Sequence, residues 1–371
     1  MKGASGTYDL VVAGGGPAGT STAITAARLG ARVLLLERGR FPREKVCGEF
    51  VSPEALGLLR SLLRDCGDAQ AMLGSAPQIR EARVFAGEEC LEFPLPSAAV
   101  SISRVDLDAA LWRAAEAAGV EARPAVAVEE IQEGATFSVA TSAGDFSAKS
   151  VVDSSGRWSN LNPAAERRPG AAQRWQWLGI KAHFTEDGTP PSSDLYFFDG
   201  GYCGVQPARD GQVNACAMVR SDRARSLPEV FVLHPRLLER SRGWRQATET
   251  VVTAPLVFRR PRSLRSGVLL AGDSAGFLDP FAGDGISAAL HSGALAAEAL
   301  ADFWGGRVPL KEAALRYQRD YERALLPAFR AARSIRWLPR IPRALYAPAA
   351  RVLRARPVAR YLVSRTRTTV S

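Results

Sequence analysis

Two glycine-rich runs and one cysteine carry the residue types that redox-cofactor chemistry needs. The first run is Gly14-Gly15-Gly16-Pro17-Ala18-Gly19, directly after the apolar stretch Tyr8 to Ala13. In a G-x-G-x-x-G of this kind Gly14 makes the tight turn, Gly16 brings bare backbone to a pyrophosphate, and Gly19, beside the small Ala18, lets helix and strand pack closely. The helix that follows turns its free N–H groups and positive dipole end toward the anion. Glu37, with Arg38 beside it, ends a second apolar run, Val33 to Leu36. Its carboxylate suits a ribose diol, and its charge repels a 2′-phosphate.

The second run begins at Gly272-Asp273, where Val268 to Ala271 ends, and continues through Pro280 to Gly283-Asp284-Gly285-Ile286. An Asp at a strand end can hold a sugar-alcohol hydroxyl such as that of a flavin's ribityl chain. A glycine-rich loop opening a helix points N–H groups and a dipole at an anion, and so favours the reduced flavin's charge at N1/O2. The cysteine, Cys47, stands in Arg43-Glu44-Lys45-Val46-Cys47-Gly48-Glu49-Phe50-Val51-Ser52-Pro53.

The elements that must position these residues are legible around them. Tyr8 to Ala13, Thr20 to Leu29 and Arg32 to Leu36 read as strand, helix, strand, a β-α-β unit in about thirty residues. Ser266 to Ala271 reads as another buried strand, and Ser287 to Leu300 as an alanine-rich helix. The predicted fold class is α/β. A Rossmann-like dinucleotide-binding domain of the glutathione-reductase type is assembled from 1–75, 98–160 and 262–330. An antiparallel substrate domain is inserted as 76–97 and 161–261, with Val84-Phe85, Leu91 to Phe93, Leu195 to Phe198 and Val213 to Val219 as its better strands. Gly201 to Pro207 and Gln212 to Asn214 read as a hairpin around Asp210-Gly211. A basic helical segment, 331–371, follows.

With these motifs in order, the chain resembles the FAD-dependent oxidoreductases that include p-hydroxybenzoate-type hydroxylases, flavin-dependent halogenases and geranylgeranyl reductases. Arg104, heading Arg104-Val105-Asp106-Leu107-Asp108, belongs to the same match, which spans about residues 8–330. The resemblance implies FAD as cofactor. It places Glu37 at the ribose, Arg104 by the pyrophosphate or flavin, Asp273 at the ribityl–pyrophosphate region, and Gly283 to Ile286 along the isoalloxazine edge. In Val151 to Ser159 Gly156 is present, but Ser155 stands where hydroxylases carry an Asp implicated in nicotinamide binding. Direct use of NAD(P)H is therefore left open. The Lys45-Val46-Cys47-Gly48 segment resembles geranylgeranyl reductases, in which it runs beside the flavin. Halogenases are recognised by Trp-x-Trp-x-Ile-Pro. Here Trp175-Gln176-Trp177 is followed by Ile180 one place late and by no Pro, and it reads as a strand whose aromatics face the second domain's core.

Cys47 has two readings, a thiol that meets substrate or assists protonation at the flavin, and a soft packing residue. Cys66, Cys90, Cys203 and Cys216 read as core. Lys45 in its charged run reads as solvated. His183 lies on an alternating strand and faces either flavin or solvent, while His291 reads as packing. With three histidines and no C-x-x-C pair, no metal site is expected.

The net charge of +10 is uneven. Arg330 to Ser371 holds eleven arginines and no acid, so residues 1–329 sum to −1. A nucleic-acid protein carries charge on its folded body as well, which argues against that class. The tail reads as a cap over the substrate pocket, as a surface for anionic membranes, or as a dock for an acidic acyl carrier protein. A strand starting at Tyr8 leaves no room for a signal peptide, and a cytoplasmic place, with or without membrane association, is the expectation. The function read from all this is electron transfer between flavin and a hydrophobic unsaturated substrate (isoprenoid, polyketide or carrier-bound acyl group). The alternative is a monooxygenase or halogenase of natural-product biosynthesis fed by a separate flavin reductase. A non-enzymatic flavoprotein working through its tail is the reading from another class.

Overall fold

The chain was analysed as a computed structural model that describes residues 6–157, 161, 175–253 and 255–335. Two sheets carry the fold. In the first, eight-stranded sheet, Tyr8–Ala13 lies between Val33–Glu37 and Phe146–Asp153, all parallel. Glu121–Pro124 and Val268–Leu270 extend this parallel set on either side. Its central strands are almost continuous Val and Leu because helices bury both faces. A hairpin, Val128–Gln132 with Phe137–Thr141, is added antiparallel to Phe146–Asp153.

Helix Pro17–Arg28 starts with its Pro in the first turn, where the missing N–H costs nothing. It packs on the long helix Gly285–Trp304 with almost no gap: a Cβ on Gly293 would lie 2.2 Å from the carbonyl oxygen of Ala18. Ser21 Oγ ties the pair together by donating to Leu290 O at 2.7 Å. Helix Arg104–Ala117 is capped by Ser103, whose Oγ accepts from the Asp106 N–H at 3.0 Å. The last described helix, Leu310–Ile335, docks through Tyr317, which donates to Leu270 O at 2.6 Å.

The second sheet has nine strands, and its centre is Trp177–Thr185, Gln212–Arg220, Gly201–Pro207 and Ser192–Phe198 in antiparallel order. All four strand segments picked from the sequence lie within it. The expected Asp-Gly loop is present, with Asp210 and Gly211 both left-handed at φ 58° and 68°. Phe50–Val51 and the Val100–Ser101 end of Glu89–Ser101 also pair in this sheet, so segments expected from the sequence to belong with the first sheet contribute strands to the second.

Period-2 alternation gives the second sheet two distinct faces. Ile180, Ala182, Phe184, Val205, Val213 and Ala215 form an apolar core with the short helices Leu227–Phe231 and Pro235–Ser241. Trp177, Gly179, Lys181 and His183 point the other way, toward the first sheet. The Trp-x-Trp aromatics therefore do not face the domain core. Trp175 precedes the strand, and Trp177 packs with Tyr202, Met218 and Leu256. The tail from residue 336 lies outside the described residues, as do Trp158 and Ser159.

The helix pair makes a direct prediction. Gly293→Val should destabilise the fold by ~1–3 kcal/mol, because the added carbons meet backbone that cannot yield. Urea unfolding should show a lower midpoint, and an unchanged midpoint would contradict the close packing.

Candidate cofactor and active site

The first glycine run does three jobs in three places. Gly14 is left-handed at φ 104°, and a Cβ there would lie 2.5 Å from Ser154 O. A Cβ on Gly19 would lie 1.8 Å from Gly14 O, so only glycine fits. At Gly16 a Cβ would meet nothing within 4 Å. Gly16 is thus open at the helix N-terminus, the arrangement a pyrophosphate requires.

Glu37 is buried at the same edge. Its Oε2 accepts from the Gly15 N–H at 2.8 Å, its Oε1 from the Gly39 N–H at 2.8 Å, and Arg43 closes an ion pair on it. Burial pushes its pKa up, but Arg43 and the two N–H groups outweigh this and leave it below the usual carboxylate range. Lone pairs remain for hydroxyls. Arg38 is exposed beside it. Lys45 is half-buried rather than solvated, and its pKa is lowered first by burial, then by the nearby Arg43 cation. Arg104 grips Asp108 through two bonds of 2.8 Å. Arg43 Nε is buried without a hydrogen bond, 3.7 Å from Asp108 Oδ2. A half-buried lysine crowded by arginines fits a diphosphate.

The distal loop lies across from this edge. Gly272 is left-handed at φ 60°, with its N–H donating to Ser292 Oγ at 2.9 Å and Ala18 packed under its Cα. Asp273 is exposed and pairs with Arg157 at 3.5 Å. The Gly156 N–H donates to Ser274 Oγ at 2.8 Å. Sequence reasoning passed over buried Asp153, which orders this corner by accepting from the Ser155 N–H at 3.0 Å and Arg265 Nη2 at 2.8 Å. Beside it a cavity of ≈ 260 Å³ is lined by Arg157, Arg259, Arg260, Arg265 and Asp273, among others. Further along, Pro280 is exposed in a short 3₁₀ turn, Gly283 is left-handed at φ 64°, and exposed Gly285 opens the helix in which Ile286 is buried. Phe50 lies under Gly283, and Ser52 Oγ donates to Asp284 Oδ1 at 3.1 Å.

The 43–53 segment joins these parts to the second sheet. Glu49, fully buried, receives Lys181 Nζ at 2.6 Å and the Arg104 N–H at 3.2 Å on Oε1, and its Oε2 lies 2.8 Å from His183 Nε2. Lys181 Nζ donates a second bond, 2.7 Å, to Glu44. Asn214 Nδ2 donates to Cys47 O at 3.0 Å, and the Glu49 N–H points at Cys47 Sγ at 3.3 Å. Burial opposes both charges, yet hydrogen bonding and attraction win: the Glu49 pKa is lowered and that of Lys181 raised. His183 is buried and faces Glu49 rather than solvent. Cys47 is half-buried, and desolvation of its thiol, only partly offset by Arg104, raises its pKa and keeps it protonated at neutral pH. In the sequence Glu49 is only a member of a motif and Lys181 only a member of a strand; the alternation of Trp177 to His183 is the one signal that puts Lys181 and His183 on a common face.

The sheet face changes character along its strands. Lys181, His183, Asn214, Cys216 and Gln206 form its polar end, opposite the 44–49 segment and Ser101. Trp177, Met218, Tyr202, Leu195 and Phe197 form an aromatic end, against Phe277 and Phe281 of the distal loop. Phe281 sits 5.1 Å from Phe197 and 6.0 Å from Tyr202, edge-on to both. No group of three or more His, Cys, Asp or Glu suited to a metal occurs among the described residues.

Comparison with known proteins gives the family and the fold likeness. Residues 7–319 match the FAD binding domain family, and the chain belongs to it. It is 28% identical over 318 residues to the menaquinone reductase of Mycobacterium tuberculosis, covering 79% of this chain and 76% of that one. It is 27% identical over 316 residues to digeranylgeranylglycerophospholipid reductase 2 of Methanopyrus kandleri, covering 80% and 77%. In structure it is similar to the flavin-dependent brominase Bmp2, with a TM-score of 0.79 at 21% identity over 97% of this chain and 93% of that one. The protein is an FAD-dependent oxidoreductase of the superfamily expected from the sequence.

Because Gly16 is open, Gly16→Asp should leave the fold intact and remove the cofactor. Circular dichroism should be unchanged while the purified protein is colourless. A yellow variant would contradict the pyrophosphate assignment.

Proposed function

We propose that the protein is a reductase of the geranylgeranyl-reductase-like kind, adding two electrons and two protons to an apolar unsaturated substrate: an isoprenoid, a polyketide or a carrier-bound acyl chain. FAD supplies the two-electron chemistry when bound. The observation that carries the reading is the aromatic end of the second sheet. Trp177, Phe197, Tyr202 and Met218 meet Phe277 and Phe281 where the distal loop turns toward Gly283. This is an apolar lining placed beside the loop assigned to the isoalloxazine edge. Cys47 and Gly48 bound the same region from the polar end. The protonated thiol of Cys47 suits proton donation or packing against substrate better than nucleophilic attack.

Two relatives matched over about four-fifths of the chain are named menaquinone reductase and digeranylgeranylglycerophospholipid reductase 2, which supports an isoprenoid-bearing substrate. The Trp-x-Trp without its Ile-Pro separates the chain from halogenases, whose likeness in structure speaks for the fold. Electron supply by a separate flavin reductase fits Ser155 at the hydroxylase Asp position. The basic tail, outside the described residues from 336 on, is proposed to meet an acidic carrier or an anionic surface. No described helix is long and apolar enough to cross a membrane.

The test is anaerobic. Protein reduced by light should be reoxidised by a menaquinone or a polyprenyl alkene, with the product gaining two hydrogens. Turnover that requires oxygen and places oxygen or halogen in the product would overturn the reading. Phe281→Ala should retain FAD and lower kcat/KM for the apolar substrate by about 10- to 200-fold, the worth of a few lost apolar contacts. Unchanged kcat/KM would remove the aromatic end from the substrate site.

A further inference from the structure

The 43–51 segment is held in an unusual way. Glu49 is left-handed at φ 62°, a conformation that a side chain bearing a Cβ adopts only when its surroundings impose it. Buried contacts on its side chain impose it. One carboxylate oxygen takes Lys181 Nζ at 2.6 Å, and the other faces His183 Nε2 at 2.8 Å. Both partners come from a single strand of the second sheet, two residues apart and on one face. All three side chains are buried. The next strand adds Asn214, which donates to Cys47 O at 3.0 Å. Gly179 completes the fit, since a Cβ there would lie 3.0 Å from Val46. Val46, the Cys47 carbonyl and Glu49 are thus tied to the second sheet, while Phe50 and Ser52 tie the far end to Gly283 and Asp284.

We infer that Glu49, clamped by Lys181 and His183, is a positioning residue for the flavin pocket: it fixes the Cys47–Gly48 turn in one geometry between the second sheet and the distal loop. It does this by converting the burial of one carboxylate into a constraint on the backbone three atoms away. A buried lysine must be answered by an anion. Of the two carboxylates on Lys181, Glu44 is partly exposed and Glu49 is fully enclosed, so the clamp closes on Glu49. The inference rests on the flavin lying beside this turn, but not on which substrate is reduced.

The experiment reads the turn itself. Glu49→Gln keeps the shape of the side chain and removes its charge. The paired variant Glu49→Gln with Lys181→Met removes both buried charges and guards against simple misfolding. For each, Cys47 alkylation by iodoacetamide is followed by peptide mass mapping with FAD bound and with FAD stripped, and the midpoint potential of the bound FAD is measured. The expected result is that both variants retain FAD, that Cys47 reacts about tenfold faster or more in the stripped protein as the turn opens, and that the midpoint potential shifts. Glu49→Asp, which keeps the charge, should recover much of the parental Cys47 rate. Equal Cys47 rates and an unchanged potential in the folded double variant would overturn the inference, leaving the cluster a packing feature. Loss of FAD from the double variant with an unchanged Cys47 rate would also overturn it, while leaving the reductase reading to its own test.

Discussion

A buried pair of charges ties the 43–53 segment to the face of the second sheet. Lys181 on the second sheet and Glu49 on the 43–53 segment bond at 2.6 Å with almost no exposure to water. Neither charge could remain there alone, because removing one partner of a buried pair costs ~3–5 kcal/mol. The pair therefore fixes register as well as contact. Lys181 reaches Glu49 only if Trp177, Gly179 and His183 share its face, and a one-residue slip would turn the aromatic and polar ends of the sheet into its other core. The cofactor edge, the Cys47 turn and the aromatic pocket all depend on that alignment.

The dinucleotide half follows a different physics, in which the absence of side chains does the work. Gly19 against Gly14 and Gly293 against Ala18 are approaches that no Cβ survives, whereas Gly16 is open on the side where a phosphate belongs. Charge supplies the rest. Arg43, Lys45 and Arg104 gather at the buried Glu37 and Asp108, where Lys45 is half-buried among arginine cations and Arg43 Nε has no hydrogen-bond partner. A cofactor that brings a diphosphate and a ribose answers both the open glycine and the crowded cations.

Much of this was legible in the sequence, for reasons particular residues make plain. Gly14, Gly16, Gly19 and Glu37 occur at fixed spacing in continuous chain, and Gly272, Asp273 and Gly283 follow a strand that names itself by its apolar run. Local spacing encodes local geometry, and both sets follow strands of one parallel sheet, Tyr8–Ala13 and Val268–Leu270, with Phe146–Asp153 between them. The polar seam was harder to read. Glu49 and Lys181 lie 132 residues apart, and nothing local to either announces the other. Lys45 looked solvated because its neighbours are charged, but those neighbours bury it. Asp153 carries no local signal of its own, being a single acid at the end of an apolar strand whose partner Arg265 lies 112 residues away. The Trp-x-Trp pair was assigned to the wrong face since alternation gives the period of a strand and not which side is covered by helices.

The central claim is that the flavin ring lies at the seam, between the Cys47–Glu49 turn and the distal loop. A crystal structure of the FAD-loaded protein tests it most directly. The isoalloxazine should lie within van der Waals reach of Cys47 or Gly48 and of Gly283, with the pyrophosphate at Gly16 and the aromatic end of the second sheet open beside the ring. A ring bound instead in the arginine-lined cavity beside Asp273, away from the Cys47 turn, would contradict the account.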